Sequence, residues 1–259
     1  MENEVRGEVL YDDGKHQFIW LGWDEEEDDG IVNVNQYLVV HDGVGTLLDP
    51  GGIHVFSRVV TNIARYIDLE RVENIFFSHQ DPDVCSGLSL WMGVTPAKVH
   101  VSKLWLRFLP HFGTVDLDRL VGIDDRGGWI PWSDGSGLRV VPAHFLHSVG
   151  NHTVFDPVSR VLFTGDLGAA VFSRGERFAW VDDFPAHARR MEGFHKRYMA
   201  SQAACRAWVK QARATDPTIL APQHGAMFRG KDVERFLSWL ENLRCGVDLL
   251  DGQGAVDVR

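Results

Sequence analysis

The chain has 259 residues, of which 44% are hydrophobic and 24% are charged, and its formal net charge at pH 7 is −10. This composition is typical of a soluble globular protein, and the negative charge disfavours a nucleic-acid backbone or an anionic membrane as the main partner. No apolar run is long enough to cross a bilayer, and the polar N-terminus lacks the apolar stretch of a signal peptide. We therefore expect a cytoplasmic protein whose three scattered cysteines are reduced thiols.

The first third of the chain reads as strands joined by turns. Apolar or alternating runs predict strands at Phe18–Leu21, Val32–His41 and Thr46–Leu48. The six consecutive acidic residues at 24–29 suit a solvated loop, with a cation-attracting or docking loop as the alternative. A turn after the third strand leads into a predicted helix over Ile53–Ile67.

The central part begins with a short buried strand that leads into an irregular loop. This strand is Val72–Phe77, and Pro82 in the following loop is expected to prevent a regular helix start. The elements predicted next are a helix at Val84–Trp91, a strand at Lys98–Val101, a helix at Lys103–His111 and a loop rich in Gly and Asp.

The second half repeats this alternation of strands and helices. No low-complexity linker separates the halves, so we predict one domain over residues 1–245 and a flexible or interacting tail over 246–259. Two packed mixed sheets with helices outside give an α/β class protein, an αββα sandwich. The predicted elements are strands at Leu138–Val141, Thr153–Phe155, Arg160–Phe163 and Thr218–Ala221, a longest helix at Ala186–Gln211 and a closing helix at Asp232–Leu243.

Potential metal ligands follow the ends of four predicted strands. Singly, each is ordinary, because a lone histidine in a loop is more often structural and an Asp-Pro-Asp run also serves turns. Together they indicate a cation, since several charged groups packed side by side lose their hydration unless an ion compensates them. The set is His79, Asp81, Asp83, His147, Asp166 and His224.

These residues resemble the motifs of the metallo-β-lactamase superfamily. The run Ser-His-Gln-Asp-Pro-Asp at 78–83 is similar to its His-x-[His/Glu/Asp]-x-Asp-His signature, and Asp49 closes a strand as its early Asp does. The resemblance covers nearly the whole chain in the same order and implies the metallo-β-lactamase fold. The later ligand motifs are matched by His147, Thr-Gly-Asp at 164–166 and Pro-Gln-His-Gly at 222–225.

Two departures from the zinc hydrolases of this superfamily point to its flavodiiron branch. Asp81 stands where those enzymes usually have a His, and Val84 replaces the final His of the signature. An acidic third position is typical of flavodiiron proteins, which reduce dioxygen or nitric oxide at two irons. The chain is most similar to the stand-alone oxygen-binding diiron proteins of that branch, with further similarity in the segments 144–148, 163–168 and 191–199.

The resemblance implies two irons joined by an oxo or peroxo bridge, with no flavin in this chain. One iron takes His79, Asp81 and His147, the other takes Asp83 and His224, and Asp166 bridges them. Carboxylates mixed with imidazoles suit such iron.

The neighbours of these ligands carry further expectations. Val84 cannot coordinate, which leaves an open position for dioxygen beside an apolar side chain. Asp49 is expected to accept a hydrogen bond that fixes the tautomer of His79. Tyr198 is assigned either to this outer shell or to packing alone. His144 and His152 are second-shell partners, substitute ligands or surface residues.

Three functions remain open at this stage. The first is a diiron protein that binds dioxygen as a sensor or carrier, working with a signalling protein or an external electron donor, as a monomer or a homodimer. The second is a reductase of dioxygen or nitric oxide that uses a separate redox partner. The third is a dinuclear zinc hydrolase, in which a bridging hydroxide attacks an ester, lactone or thioester. The fold alone does not decide among them.

Overall fold

The computed structural model describes residues 6–23, 33–172 and 178–250, so the acidic run at 24–29 lies outside the described residues. The strands form two sheets, and each sheet is built from one continuous half of the chain. The first sheet has the order β1-β2-β3-β4-β5-β6-β7. Its strands are β1 (Arg6–Asp12), β2 (His16–Gly22), β3 (Tyr37–His41), β4 (Val44–Leu48), β5 (Val72–Phe76), β6 (Lys98–Ser102) and β7 (Leu120–Ile123).

The second sheet has the order β13-β12-β11-β10-β9-β8. Its neighbouring strands are antiparallel except for β11 and β12, which are parallel. In the first sheet the antiparallel part runs from β1 to β4 and the parallel part from β4 to β7. The strands are β8 (Gly128–Pro131), β9 (Gly137–Pro142), β10 (His152–Asp156), β11 (Val161–Gly165), β12 (Ile219–Pro222) and β13 (Phe228–Arg229).

Six α-helices lie in the described ranges and cover the sheets. They are α1 (Phe56–Ile63), α2 (Pro82–Cys85), α3 (Leu88–Val94), α4 (Phe184–Tyr198), α5 (Gln202–Thr215) and α6 (Lys231–Asn242). Short 3₁₀ turns lie at Ile53–Val55, Leu69–Arg71, Leu109–Phe112, Leu117–Arg119 and Gly246–Leu249. No helix in the described ranges is long and apolar enough to cross a membrane.

Three apolar clusters divide the molecule into layers. Successive strand residues point to opposite faces of a sheet, so Phe76 lies in the cluster between the sheets while Ile75 lies in the cluster under α1 and α3. Between the sheets, the Phe163 ring meets Tyr37 at 5.6 Å and Phe76 at 6.3 Å. The third cluster joins the second sheet to α4, α5 and α6 through residues such as Met191. The layers are helix, sheet, sheet and helix, which confirms the predicted αββα sandwich.

Several predicted elements are wrong in detail. The long helix at 186–211 is two helices, because Met199 leaves the helical conformation and the Ser201 hydroxyl caps α5 by accepting from the Ala204 N–H at 3.2 Å. The predicted helix at 103–111 is a series of turns ending in a 3₁₀ turn. Pro82 begins α2 instead of preventing it, because the first helical position needs no N–H.

Two further differences concern strands and the tail. Strands β1, β7, β8 and β13 are additions to the predicted set. The tail was expected from residue 246, but Gly246–Leu249 forms a 3₁₀ turn whose Val247 N–H donates to the Ala200 carbonyl at 2.9 Å. Residues 251–259 lie outside the described part of the chain.

Candidate metal centre

The six predicted ligands meet at one edge of the sandwich. Parallel strands β4 and β5 end there, and so do β11 and β12 of the second sheet. The first sheet supplies three of the side chains from the segment after β5, and the second sheet supplies three from the loops after β9, β11 and β12. The side chains brought together are His79, Asp81, Asp83, His147, Asp166 and His224.

One oxygen of Asp166 faces a first group of ligands. Its Oδ2 lies 2.9 Å from His147 Nε2 and 3.6 Å from His79 Nε2. Asp81 Oδ2 lies 3.4 Å from the same nitrogen of His147 and 3.7 Å from that of His79. The donor atoms of His79, Asp81 and His147 are all within 4.8 Å of one another, close enough to share one ion.

The other oxygen of Asp166 faces a second group. Its Oδ1 lies 3.4 Å from His224 Nε2, and the same nitrogen lies 3.2 Å from Asp83 Oδ2. Asp166 is buried, and its Oδ1 makes no hydrogen bond to any described residue. A buried carboxylate oxygen that accepts no hydrogen bond loses its hydration without replacement unless a cation lies beside it. The donor set and this oxygen therefore fit two metal ions that share Asp166.

The electrostatics of the cluster favour ionised carboxylates. Burial alone would raise the pKa of Asp166, but His79, His147 and His224 hold it well below the usual range. Burial would likewise lower the pKa of His147, but Asp166 and Asp81 outweigh it and raise that pKa to about 10. In the absence of metal the imidazoles of His147 and His224 hold protons in the place of cations, so metal binding must release protons.

Asp49 acts on His79 through Ser78. The Ser78 hydroxyl donates to Asp49 Oδ2 at 2.5 Å, so its oxygen accepts from His79 Nδ1–H at 2.8 Å. This fixes the Nδ1–H tautomer and leaves Nε2 of His79 free to bind a metal. Ser78 thus lies between Asp49 and His79, a connection that the sequence did not predict. Burial raises the pKa of Asp49 to about 8 against the hydrogen bonds from Ser78, and a nearby cation favours its charged form.

Other hydrogen bonds orient the remaining ligands. His224 Nδ1–H donates to the carbonyl of Asn33 at 2.8 Å, which leaves its Nε2 facing Asp166. The Gln223 amide donates to Asp83 Oδ2 at 3.0 Å, and the Gln80 amide donates to Asp81 Oδ1 at 2.9 Å. Both glutamines lie within the motifs but were not predicted, because their geometry appears only when the loops are folded.

His195 on α4 is a further positioning residue. Its Nδ1–H donates to the Met191 carbonyl at 2.9 Å, and its Nε2 accepts from the Gly168 N–H at 3.0 Å. Gly168 follows the loop that carries Asp166, so the helix fixes that loop. Burial lowers the pKa of His195 to about 4, which keeps the imidazole neutral and able to accept this hydrogen bond.

The predicted outer shell is only partly at the centre. Tyr198 is there, with its ring 5.4 Å from that of His147. The rings of His144 and His152 pack against each other, away from the ligand side chains. Nε2 of His144 hydrogen-bonds to the carbonyl of Asp125, and Nε2 of His152 hydrogen-bonds to that of Asp124. Only the backbone N–H of His152 contributes, by donating to the Ser78 carbonyl at 3.1 Å. Val84 is fully buried in the apolar cluster under α1 and α3, not in the wall of the open position.

A cavity of about 940 Å³ opens onto the centre. Its walls are mainly apolar, with Arg197 and His54 as basic side chains besides the histidines of the centre. The apolar wall that was expected from Val84 is supplied by other residues, which are Val34, Val55, Ala169, Ala170 and Phe194.

The fold and these residues place the chain in the metallo-β-lactamase superfamily, on the branch related to flavodiiron proteins. A family model described as "ODP family beta lactamase" matches residues 32–225, which is most of the chain. The chain belongs to this family.

Solved structures and a curated relative agree with that membership. A structure described as "Peroxy diiron species of chemotaxis sensor ODP" is 48% identical, with a TM-score of 0.85, covering 94% of this chain and 97% of that chain. The apo state of chemotaxis sensor ODP from T. denticola is also 48% identical, with a TM-score of 0.83 and the same coverage.

The flavodiiron relatives are more distant. A flavo di-iron protein mutant from Thermotoga maritima shares the fold at 16% identity and a TM-score of 0.73, covering 91% of this chain and 60% of that one. Diflavin flavoprotein A 1 of Synechocystis is 28% identical over 155 residues, 57% of this chain. This chain spans only 26% of that curated relative.

Proposed function

We propose that this protein is a non-haem diiron protein that binds dioxygen and acts as an oxygen sensor. The observation that carries the proposal is Asp166, whose two buried oxygens face two separate groups of imidazole and carboxylate donors. The family and the chemotaxis-sensor structures support the same assignment. When bound, two ferrous ions supply electrons and open coordination positions for dioxygen.

The roles of the protein residues follow from their positions. His79, Asp81 and His147 would hold the first iron, Asp83 and His224 would hold the second, and Asp166 would contribute to both. Ser78 and the Asn33 carbonyl accept hydrogen bonds from Nδ1–H of His79 and His224, respectively. The Nε2 atoms of both histidines are then free to face the metals. The mainly apolar cavity wall suits the approach of a small apolar molecule such as dioxygen.

The first test is iron content together with visible absorbance. Protein loaded with ferrous iron without air should hold two irons per chain and develop a lasting visible absorption band on exposure to air. Asp166→Ala should lose iron and the band, whereas Asp118→Ala, an exposed aspartate away from the centre, should keep both. Zinc uptake with no iron uptake would favour the zinc hydrolase, and rapid turnover with a flavoprotein donor would favour the reductase.

We further propose that the sensor passes its signal to a chemotaxis signalling protein that docks around the cavity. Three apolar side chains that line the cavity are also exposed, namely Ile53 at 59%, Val171 at 68% and Tyr198 at 54%. Exposed apolar surface beside a site is typical of an interaction face.

A co-elution experiment tests this docking. Ile53→Ser with Val171→Ser should weaken association with the signalling protein, while Leu117→Ser, equally exposed but away from the cavity, should not. Association that is unchanged in the double variant contradicts this docking face. A doubled mass without the partner would instead favour the homodimer.

A further inference from the structure

A second cluster of histidines and aspartates lies at the opposite edge of the sandwich. His16 begins β2 and pairs with His41 at the end of β3. Asp156 ends β10, and Asp134 lies in the turn between β8 and β9. The ends of β4, β5 and β11 point away from this edge, toward Asp166, so this cluster is separate from the candidate iron centre.

These four side chains form one continuous chain of contacts. Asp156 Oδ2 lies 2.6 Å from His16 Nε2, and both side chains are buried. His16 Nδ1 lies 3.1 Å from His41 Nδ1. His41 Nε2 then lies 3.0 Å from Asp134 Oδ2, and Asp42 Oδ2 lies 3.9 Å from the same nitrogen.

Two neutral imidazoles cannot donate a hydrogen to every contact in this series. Each of its three contacts needs one hydrogen, but two neutral imidazoles supply only two. If both Nε2 atoms donate to their aspartates, two lone pairs face each other at 3.1 Å between His16 and His41. If His41 donates from Nδ1 to His16, its Nε2 lone pair faces the Asp134 carboxylate. A metal ion on His41 Nε2 removes this conflict, because the contact with Asp134 then needs no hydrogen.

We propose that His41, Asp42 and Asp134 form a site for a divalent transition-metal ion, separate from the iron centre. One imidazole and two carboxylates are a donor set that zinc accepts, with water completing the coordination. The three donor atoms lie within 4.8 Å of one another. Such an ion satisfies all the contacts with two neutral imidazoles, because His41 Nδ1–H then donates to His16 and His16 Nε2–H donates to Asp156.

The surroundings prepare the ligands for this ion. Trp132 stacks on His41 with a centroid distance of 4.2 Å and an angle of 12°, which fixes the plane of the imidazole. Ser136 donates to Asp134 Oδ1 from its N–H and its hydroxyl, which leaves Oδ2 for the metal. With His41, these hydrogen bonds lower the pKa of Asp134 to about 2, so the carboxylate is ionised.

The buried end of this series of side chains, Asp156 and His16, is also held in place by hydrogen bonds. Asp156 accepts from the Ser159 hydroxyl and from the Val158 N–H, so it remains a fixed acceptor for His16. A carboxylate behind a ligating imidazole is the usual second-shell arrangement, here extended through a second imidazole. The other titratable groups beside His16 are Tyr11, whose ring is edge-on at 5.9 Å, and Asp13, which accepts from the His16 N–H.

Zinc binding to the iron-loaded protein tests the proposal. Equilibrium dialysis should show one Zn²⁺ bound per chain without loss of iron, with iron and zinc measured in the same samples. His41→Gln should weaken this zinc binding at least tenfold and Asp134→Asn should weaken it in the same direction. His111→Gln is the matched control, since that histidine is exposed and away from both clusters.

Calorimetry adds a readout that a nonspecific surface ion does not give. Because the three donors converge on one point, the binding isotherm should show one saturable zinc per chain. His41→Gln should abolish this binding event. Zinc uptake equal to the iron lost, no zinc uptake, or equal binding in His41→Gln and wild type would each overturn the proposal.

Discussion

Ser78 joins Asp49 to His79 through one hydroxyl, and this residue offers a sharp test of how the iron ligands are oriented. Ser78→Ala removes the acceptor for His79 Nδ1–H, so the imidazole loses its fixed tautomer and ring position. We expect the iron affinity to fall roughly tenfold to a hundredfold. Competition with a ferrous chelator measures this change.

The matched control for this substitution is Ser102→Ala. Ser102 is also fully buried, but its hydroxyl accepts from the Leu104 N–H, outside the metal centre. Its loss should leave iron affinity unchanged. Equal iron affinity in Ser78→Ala and wild type would show that Asp49 and Ser78 have no part in holding His79.

Two histidines on one face of α4 should respond oppositely to the same substitution. His187 is fully buried among the rings of Phe172, Phe178 and Phe228, and no described residue hydrogen-bonds to its imidazole. His187→Leu should raise the free energy of unfolding by about 1–2 kcal/mol, because it removes a polar group without a partner. His195→Leu should lower it, because both its nitrogens are hydrogen-bonded. Urea denaturation of both variants checks this, and a loss of stability in His187→Leu would contradict it.

For single residues, the sequence predicts which side chains can bind a metal better than it predicts their hydrogen-bond partners. Six ligand candidates in the right order were visible because metal donors are few in kind, and the structure brings all six together. The path from Asp49 through Ser78 was not visible, since a serine within a motif gives no sign of the direction of its hydroxyl. His144 and His152 were drawn into the prediction by residue type alone, whereas the fold uses them to hold the turn at 124–125.

At the level of elements, the break between α4 and α5 depends on a cap. The Ser201 hydroxyl accepts from the Ala204 N–H and satisfies one free donor at the start of α5. Ser201→Ala should lower the free energy of unfolding by about 1 kcal/mol. Ser57→Ala, an exposed serine of α1 whose side chain caps no helix, is the control and should change stability by less than about 0.5 kcal/mol. Thermal unfolding of both variants decides the point, and equal melting would contradict the role of the cap.

The same break shows where prediction of elements fails. Residues 186–211 have apolar positions at helical spacing, so periodicity predicted one helix, whereas the structure ends α4 at Tyr198 and begins α5 after Ser201. Strands β7 and β8 were missed because Gly and Asp residues around 122–128 suggested a loop. Strands with strong apolar runs, such as β5 and β11, were predicted nearly to the residue because both faces of them are buried.

For the whole molecule, buried neutral histidines should make the protein sensitive to acid. Burial lowers the pKa of His100, His152, His187 and His195 to about 4, below the value of about 6.5 expected in the unfolded chain. Between pH 6.5 and 4 these histidines bind protons in the unfolded chain but not in the folded protein. Stability should therefore be lost as the pH falls from about 6.5 toward 4.

Unfolding by urea at several pH values measures this loss. The dependence of unfolding free energy on pH should be shallower in His187→Leu, because one of the four groups is gone. A flat profile between pH 6.5 and 4 would contradict the expectation.

Each half of the chain builds one sheet, and neither half carries a full set of donors for either metal group. His79, Asp81 and Asp83 come from the first half, while His147, Asp166 and His224 come from the second. Bound iron would therefore link the two halves at this edge in addition to the apolar core between the sheets, and we propose that it stabilises residues 1–245 as one unit. In the loaded protein, circular dichroism and tryptophan fluorescence should report one coincident transition. In the metal-stripped protein the same transition should fall at a lower temperature, so that iron supply sets the stability of the fold as well as the response to oxygen.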